Sequence, residues 1–407
     1  MTAPRGSSIR AALRLLPAVG IGLLWPGTPK AGELPPPAAL GLQFGIDREV
    51  LREPGNGGFL ESLGSDDFGV LYRNDDGPIN EWSLTTRFDA QYGHLDSDRG
   101  NGEEFEVRRF RPGTSIEFLD NWRLKVTADL ADADGDVNYD GLSSAFLRYR
   151  ASDDLKFRLG KQVPHFSQEW STPSMELPVI ERSLLVQQIR PRRATGISIV
   201  ADPGNWEAEA GAFSGDFSPE ISNFDSGWFY VANLGYDFTD IFTWWKDLDL
   251  NLYYMHTDGH AGNDAVPPYA HSYSAAVKVR KKRFRLAAEY LLADGMMGRP
   301  DAWGVQFTPT WELIDGKLDL VFRYQYAETD GRDGLRLRRR YDFLAPRLFD
   351  RGRGEEFEAY YLGLRLHLIE DRLVYMAGGE WGDMDDNFRD GGALDRFTFL
   401  TALRFNF

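Results

Sequence analysis

Arginine and lysine residues stand two positions apart in several segments between residues 109 and 158. Side chains alternate faces along a β-strand, so residues two apart share a face. Guanidinium groups bind phosphate through paired hydrogen bonds, and rows of basic side chains favour anions in pores. The spacing therefore predicts an anion-binding wall formed by Arg109, Arg111, Arg123, Lys125, Arg148, Arg150, Lys156 and Arg158.

The faces of these strands that carry the bases also carry two acids, Glu117 and Asp129. A structural role is the alternative, because the bases could pair with acidic residues of a loop folded against them. The sequence supports anion selectivity and structural pairing equally, and both can hold at once.

The elements that position this wall are predicted to be β-strands, and the last twelve residues, RFTFLTALRFNF, show the pattern best. One face carries Phe397, Phe399, Thr401, Leu403, Phe405 and Phe407, and the other carries Arg396, Thr398, Leu400, Ala402, Arg404 and Asn406. Such a strand fits an outer-membrane barrel, where lipid lies outside and water inside. The last strand of a soluble β-sandwich would alternate similarly, so the other segments of the chain are needed to distinguish the two folds.

The composition excludes several classes of protein. The 407 residues include no cysteine, carry a formal net charge of −16 and are 14% aromatic, with a mean hydropathy of −0.41. Beyond the amino terminus no stretch approaches the roughly 20 apolar residues of a membrane-spanning helix. Disulfides and thiolate metal sites are excluded, and an acidic chain argues against nucleic acid as a partner.

The first residues resemble an export signal. Arg5, Arg10 and Arg14 precede an apolar run at 15–25, which predicts a signal peptide over residues 1–31. Residues 32–80 contain three consecutive prolines and show no convincing hairpin; they are interpreted as a periplasmic linker or N-terminal segment, with a partial plug left open. Residues 81–407 are predicted to form the barrel.

Connections of two lengths alternate along residues 81–407. Short turns are predicted at 120–121, 151–154, 202–205, 281–282, 314–317 and 370–371, with a longer one at 237–247; long loops are predicted at 93–104, 132–141, 163–192, 214–227, 257–270, 328–354 and 382–395. Short periplasmic turns and long extracellular loops are typical of outer-membrane barrels. We therefore predict an all-β, transmembrane antiparallel barrel of about sixteen strands in the bacterial outer membrane.

The long segment 163–192 is expected to fold inward and narrow a water-filled channel, as long loops do in barrels of this size. Its basic end, with Arg190, Arg192 and Arg193, is then a candidate for the constriction. A solvated junction between loop and strand explains the same three residues equally well.

The central part of the chain resembles the phosphate-selective porins, the O and P porins of Gram-negative outer membranes. The resemblance is clearest from Phe105 to Val200 and rests on the runs EFEVRRFRPGTSIEFLDNWRLKVTADL, LSSAFLRYR, LKFRLGKQVPHFSQEWSTPS and ERSLL. It implies a trimeric barrel of about sixteen strands with an inward third loop and an arginine-lined anion path. By matching positions, it places Arg108 and Arg109 in the arginine row and Arg182 at the constriction.

Two positions depart from the family pattern. Trp170 stands where the family's phosphate site has a lysine, and Ser143 stands where it has an aspartate. A tryptophan brings no charge to phosphate, so general anion preference survives these changes better than phosphate specificity does.

Other functional classes have less support. No catalytic residue is predicted, because the chain has neither a GxSxG motif nor a cysteine nucleophile. No metal ligand or cofactor is predicted either: His256 and His260 do not lie on a helix, and the acidic loops at 132–140 and 383–386 are interpreted as solvated, with Ca²⁺ binding as the lesser alternative. A non-specific, or substrate-binding and adhesive, barrel with little anion selectivity remains the alternative function.

The expected partners follow from a barrel in the outer membrane. They are outer-membrane lipid and lipopolysaccharide, small anionic solutes, and the barrel-assembly machinery, which would recognise the last strand through Phe407. A homotrimer is implied by the resemblance alone.

Overall fold

The computed structural model describes residues 63–65, 67–131, 137–337, 341–348, 352–386 and 392–407. The predicted signal peptide and most of the segment 32–80 lie outside these residues, as does most of the first acidic loop, at 132–136. No helix within the described ranges is long and apolar enough to cross a membrane.

The described chain is almost entirely antiparallel β-structure. Its strands are β1 (Val70–Arg73), β2 (Ile79–Thr85), β3 (Arg87–Ser97), β4 (Gly102–Phe110), β5 (Gly113–Phe118), β6 (Trp122–Ala131), β7 (Val137–Ser152), β8 (Leu155–Gln162), β9 (Ala194–Ala201), β10 (Trp206–Ser214), β11 (Trp228–Asp237), β12 (Asp247–Thr257), β13 (Tyr269–Lys281), β14 (Phe284–Gly295), β15 (Ala302–Ile314), β16 (Leu318–Thr329), β17 (Leu335–Arg336), β18 (Arg353–Gly354), β19 (Glu356–Ile369), β20 (Leu373–Asp385) and β21 (Leu394–Asn406). Short helices α1 (Gln168–Ser171) and α2 (Leu184–Ile189) and a 3-10 turn (Tyr341–Leu344) lie in the connections.

The structure has 21 strands where the sequence predicts about sixteen. β17 and β18 form a sheet of their own, and β1 is a short addition paired with β2. Only Thr86 separates β2 from β3, and only Arg111 and Pro112 separate β4 from β5, where Pro112 has no N–H for the ladder. If β1, β17 and β18 are left out, and β2–β3 and β4–β5 are each counted as one interrupted strand, sixteen successive antiparallel strands remain.

The last strand pairs with the interrupted strand that begins near Trp82. β21 runs beside β3, from Arg396 opposite Ser97 to Asn406 opposite Arg87. On the next interrupted strand, β5 carries the ladder into β6, whereas β4 has a ladder only with β3. The sheet is therefore joined at the last strand but lacks pairing beside β4.

The connections are sorted by length as predicted, but several predicted long loops overlap strands. The loop predicted at 132–141 overlaps β7 from Val137, and the loop predicted at 382–395 overlaps β20 to Asp385 and β21 from Leu394. The loop predicted at 93–104 is wrong in extent, because β3 continues to Ser97 and β4 begins at Gly102. Gly93 and the polar residues after it suggest a loop, but ladders with β21 and β4 hold this stretch extended.

The two faces of the sheet have the polarity of a membrane barrel. Apolar side chains on the outer face are exposed, such as Leu159 at 61% and Trp311 at 54%, whereas Arg323, Glu380 and Arg404 on the inner face are at most 1% exposed. Burial along β21 alternates residue by residue. This is the arrangement expected where lipid covers the outside.

The residues before β2 pack against the end of the chain. β1 and β2 form a hairpin that the sequence did not indicate, and the Phe68 ring lies edge-on to Phe407 with centroids 4.7 Å apart. The backbone oxygen of Gly69 accepts a hydrogen bond from the Leu84 N–H at 2.7 Å. These contacts fix the carboxyl-terminal end of the last strand.

Candidate functional site: a lumen narrowed by two loops

The segment 163–193, called the inner loop below, folds into the lumen as predicted. Its apolar residues Met175 and Ile180 belong to one buried cluster with Val374, Met376 and Leu400 on β20 and β21. Val179 packs with side chains of β16 and β19. The inner loop therefore covers the wall formed by β16 and β19–β21 and leaves the wall of β3–β9 facing the channel.

Buried arginines of the covered wall hold this loop in place. Arg404 donates hydrogen bonds to the backbone oxygens of Ser174 (2.6 Å), Leu177 (3.3 Å), Val179 (3.3 Å) and Ile180 (2.5 Å). Arg365 donates a hydrogen bond to the backbone oxygen of Met175 at 2.8 Å, and Arg323 donates one to the backbone oxygen of Glu181 at 2.6 Å. Alternation along the last strand places Arg404 on the face opposite the phenylalanines, and on that face its guanidinium anchors the inner loop.

Acidic and amide side chains bind the donors of the same loop. The Glu289 carboxylate accepts from the backbone N–H groups of Gln168 (2.7 Å) and Glu169 (3.2 Å). The Gln325 side chain accepts from the Leu184 N–H at 2.9 Å. Since buried polar groups are costly unless paired, these bonds favour one position of the loop.

A second connection, between β16 and β19, also enters the lumen, and the sequence did not indicate this. Tyr341 is 1% exposed and donates a hydrogen bond to Glu106 at 2.8 Å. Asp342 lies 2.8 Å from the Nε of Arg396 on β21. Predicted as one of the extracellular loops, the connection narrows the lumen from the side of β3 and β4.

Gly93 is what allows Tyr341 to lie against β3. A Cβ atom at Gly93 would lie 2.4 Å from the Tyr341 ring, too close for any side chain. We expect Gly93→Ala to lower the free energy of unfolding by roughly 1–3 kcal/mol, the usual cost of overpacking. Thermal unfolding in detergent measures this loss.

The matched control is Gly262→Ala, because the atoms nearest to its added Cβ are 3.3 Å away on flexible side chains. In a Tyr341→Ala background, Gly93→Ala should cost much less, since the ring it meets is absent. An equal cost in both backgrounds would contradict the packing argument.

Ion pairs involve most of the predicted basic wall. The shortest N–O distances are 2.8 Å for Arg109 and Asp89, 2.6 Å for Arg111 and Asp129, 3.6 Å for Arg148 and Glu117, 2.6 Å for Lys156 and Asp202, and 3.9 Å for Arg158 and Glu209. Arg123 also pairs with Glu117, and Arg150 donates to the backbone oxygen of Asp120. Structural pairing is therefore present on this wall, and Arg150 and Lys156 lie at the periplasmic turns.

A β-bulge explains how two consecutive arginines reach the same side. Opposite β3, Asp89 pairs with Arg109 but Ala90 pairs with Val107, so Arg108 is the extra residue. Arg108 then approaches Glu181 of the inner loop at 3.5 Å while Arg109 binds Asp89. Strict alternation predicts only Arg109 inside, whereas the family resemblance assigned both.

Trp170 stands where the family's phosphate site has a lysine, and two arginines lie beside its ring. The guanidinium carbon of Arg190 is 4.2 Å from the ring centroid, and that of Arg182 is 5.0 Å away. Burial lowers the pKa of Arg182 to about 10, against the attraction of Glu169, so Arg182 remains cationic at neutral pH. The two arginines beside the Trp170 ring therefore supply positive charge where the family has a lysine.

Three cations near the uncovered wall have no ion pair with a described carboxylate. Arg193 donates to Ser143 O (2.9 Å) and Ser144 Oγ (2.8 Å), and Arg182 donates only to backbone oxygens of the inner loop. Lys125 has neither a hydrogen bond nor an ion pair within the described ranges, and it is within electrostatic range of Arg193. Arg193 is in turn within range of Arg111, Arg87 and Arg182, against the attraction of Asp129, so cations outnumber acids around it.

An arginine-rich cavity of about 660 Å³ lies among the long connections predicted to be extracellular, and we call it the vestibule. Residues already predicted, Arg108, Arg190 and Arg192, form part of its lining. The sequence missed four more arginines, which come from the β14–β15 and β16–β19 connections: Arg299, Arg332, Arg336 and Arg353. These connections have no strand periodicity, so alternation could not assign their side chains to the lumen.

A smaller recess of about 420 Å³ is lined by the inner loop and by strands β10–β13. Its charged lining is mostly acidic, with Glu176, Glu207, Asp237 and Asp249 beside Lys278. The lumen therefore has a basic vestibule and a separate acidic recess.

Carboxylates from the β16–β19 connection and the β20–β21 connection lie close together. Oxygens of Asp333, Glu355 and Asp386 lie within 4.8 Å of one another. Glu355 accepts from the Asp333 N–H at 2.8 Å and Asp386 from the Gly392 N–H at 3.1 Å. Hydrogen bonds within the protein account for these two groups, so the cluster alone does not indicate a metal site.

Residues 83–227 match the family model of phosphate-selective porin O and P. The predicted resemblance to this family is confirmed. No curated protein sequence matches the chain. The family match and the barrel fold place the chain in the bacterial outer membrane, the location that the sequence predicts.

Solved outer-membrane barrels share the fold at low sequence identity. An anion-selective porin from Comamonas acidovorans has 10% identity and a TM-score of 0.56, with 80% of this chain and 99% of that chain covered. The channel DcaP of Acinetobacter baumannii has 11% identity and a TM-score of 0.53, covering 83% and 99%. OmpT of Vibrio cholerae in its trimer form has 13% identity and a TM-score of 0.50, covering 80% and 99%.

Proposed function

We propose that the protein is a passive outer-membrane channel that prefers anions. The observation that carries the proposal is the group Lys125, Arg182 and Arg193, three cations on the open side of the lumen without a carboxylate partner among the described residues. Such groups replace part of the hydration shell of a passing anion and repel cations.

The paired arginines support this group in a different way. Asp89 is fully buried and lies close to both Arg87 (3.0 Å) and Arg109 (2.8 Å), so one acid is shared by two bases. Glu117 is shared in the same way by Arg123 and Arg148. Pairing therefore fixes the wall while leaving it net positive, and the two predicted roles of the bases are compatible.

Small inorganic and organic anions are the proposed solutes, and phosphate is one among them rather than a specific ligand. The replacement of the family's lysine and aspartate by Trp170 and Ser143 supports this broader preference. A homotrimer is proposed by analogy with the trimer form of OmpT, and recognition of Phe407 by the assembly machinery remains a proposal.

Planar-bilayer recording of the purified protein tests the channel. We expect discrete conductance steps, and phosphate should reduce the chloride current only weakly. In Trp170→Lys the same phosphate addition should reduce the current more, because an ammonium joins Arg182 and Arg190. Absence of conductance steps would favour an adhesive barrel, and strong phosphate block of the unmodified protein would favour a specific phosphate site.

A further inference from the structure

The vestibule carries more positive charge than an open path for monovalent anions needs. Seven arginines line it among the described residues, and the acids among those residues are Asp264 and Asp333. Asp264 accepts a hydrogen bond from the Phe217 N–H, and Asp333 lies 3.6 Å from Arg332. Asp333 is also within electrostatic range of Arg336, but no ion pair joins either acid to Arg299, Arg336 or Arg353 within the described ranges.

Three of these arginines repel one another. Arg336 and Arg353 are directly opposite in the ladder of β17 and β18, and like charges at such positions destabilise a pair of strands. Arg299 is within electrostatic range of Arg336 as well. No ion pair joins any of the three to a carboxylate within the described ranges. A bound ligand with several negative charges would remove this repulsion.

The lining of the vestibule also has an apolar part, contributed by Ala265, Val266, Pro267, Pro268, Met297 and Pro300. The guanidinium of Arg299 lies 4.5 Å from the centroid of the Tyr269 ring, which holds it beside this surface. Inorganic anions gain nothing from such a surface, whereas a carbon skeleton is desolvated on it.

The volume of the cavity also favours an organic ligand. Its volume of about 660 Å³ falls within the range of about 300–1,000 Å³ in which proteins bind drug-sized organic molecules. Inorganic phosphate would leave most of this space to water.

We propose that the vestibule is a binding site for organic anions that carry two or more carboxylate or phosphate groups on a compact apolar body. Arg299, Arg336 and Arg353 bind the charged groups, and the proline-rich surface contacts the carbon skeleton. Arg108 of β4 and Arg190 of the inner loop also line the cavity, so the bound anion lies next to the inner loop. The proposal rests on the proposed anion channel and adds the class of solute that its mouth concentrates.

The test uses benzene-1,3,5-tricarboxylate as a probe in planar-bilayer recording of the full-length protein. Added on the extracellular side, the probe should reduce the chloride current at a concentration at least roughly tenfold below that needed for inorganic phosphate or benzoate. Arg336→Gln combined with Arg353→Gln should raise its half-blocking concentration roughly tenfold. The same pair changed to lysine keeps the charge and should preserve most of the block.

Arg285→Gln is the control, because Arg285 is an inward arginine that pairs with Asp319 and does not line the vestibule. It should leave the half-blocking concentration unchanged. Misfolding of the double glutamine variant is not expected, since the substitutions remove a repulsion; single-channel conductance and the heat-dependent gel mobility of the barrel verify this.

Equal block by the tricarboxylate and by phosphate, or equal block of the double variant and the unmodified protein, would overturn the vestibule site. Either result with chloride selectivity intact leaves the proposed channel standing. Loss of chloride selectivity in the unmodified protein would instead remove the proposed function itself, so the two failures are distinguishable.

Discussion

Arg404→Met should release the inner loop and increase the single-channel conductance roughly twofold, because the constriction widens when the loop leaves the lumen. Arg404 is fully buried and donates to four backbone oxygens of that loop. Methionine fills the space without donating, so each carbonyl that stays buried costs roughly 1–3 kcal/mol. The loop avoids this cost by moving into the water of the lumen.

Arg285→Met is the matched control for this variant. Arg285 is also an inward arginine, but it pairs with Asp319 at 2.6 Å on the wall and has no described hydrogen bond to the inner loop. Its loss should leave the conductance nearly unchanged. A normal conductance for Arg404→Met, with a barrel that still inserts, would contradict the anchoring role.

Lys125→Gln combined with Arg193→Gln should remove most of the anion preference. Each unit charge at about 8 Å in water attracts chloride and repels potassium by about 0.5 kcal/mol. Screening at about 0.1 M salt roughly halves both energies, so losing two charges should lower the chloride-to-potassium permeability ratio roughly fivefold. Neither residue has a carboxylate partner among the described residues, and therefore the substitutions leave no acid unpaired. Reversal potentials in a salt gradient measure the ratio, and the effect should shrink at high salt.

Arg150→Gln combined with Lys156→Gln removes the same number of charges and serves as the comparison. Arg150 is exposed and bonded to the Asp120 backbone, and Lys156 pairs with Asp202 at a periplasmic turn. This pair should change the permeability ratio little. If both double variants shift the ratio equally, general charge rather than the unpaired cations sets the selectivity.

Alternation along strands allows much of this architecture to be predicted from the sequence. Lipid on one side and water on the other force apolar and polar residues onto opposite faces, as β21 shows throughout its length. The inner loop was predictable too, because a connection as long as 163–192 is not a simple surface hairpin.

Features that depend on contacts between distant residues were not predictable in this way. The packing of Tyr341 on Gly93 and Glu106 joins the β16–β19 connection to β3 and β4, and no local pattern announces it. The bulge at Arg108 breaks the alternation on which parity relies. An inward glycine within a strand, such as Gly93, is the one local signal that another part of the chain approaches closely.

The vestibule could not be predicted from the sequence for a related reason. Arg299, Arg336 and Arg353 come from three different stretches of connection, where polar residues are expected whatever their role. Only the folding of these stretches over the lumen brings the charges together.

The measurement that tests the central claim most directly is the reversal potential of the unmodified protein in a potassium chloride gradient across a planar bilayer. The unpaired cations Lys125, Arg182 and Arg193 on the open side of the lumen predict a potential that favours chloride. A potential that favours potassium would show that the acidic groups dominate the path, and it would contradict the account.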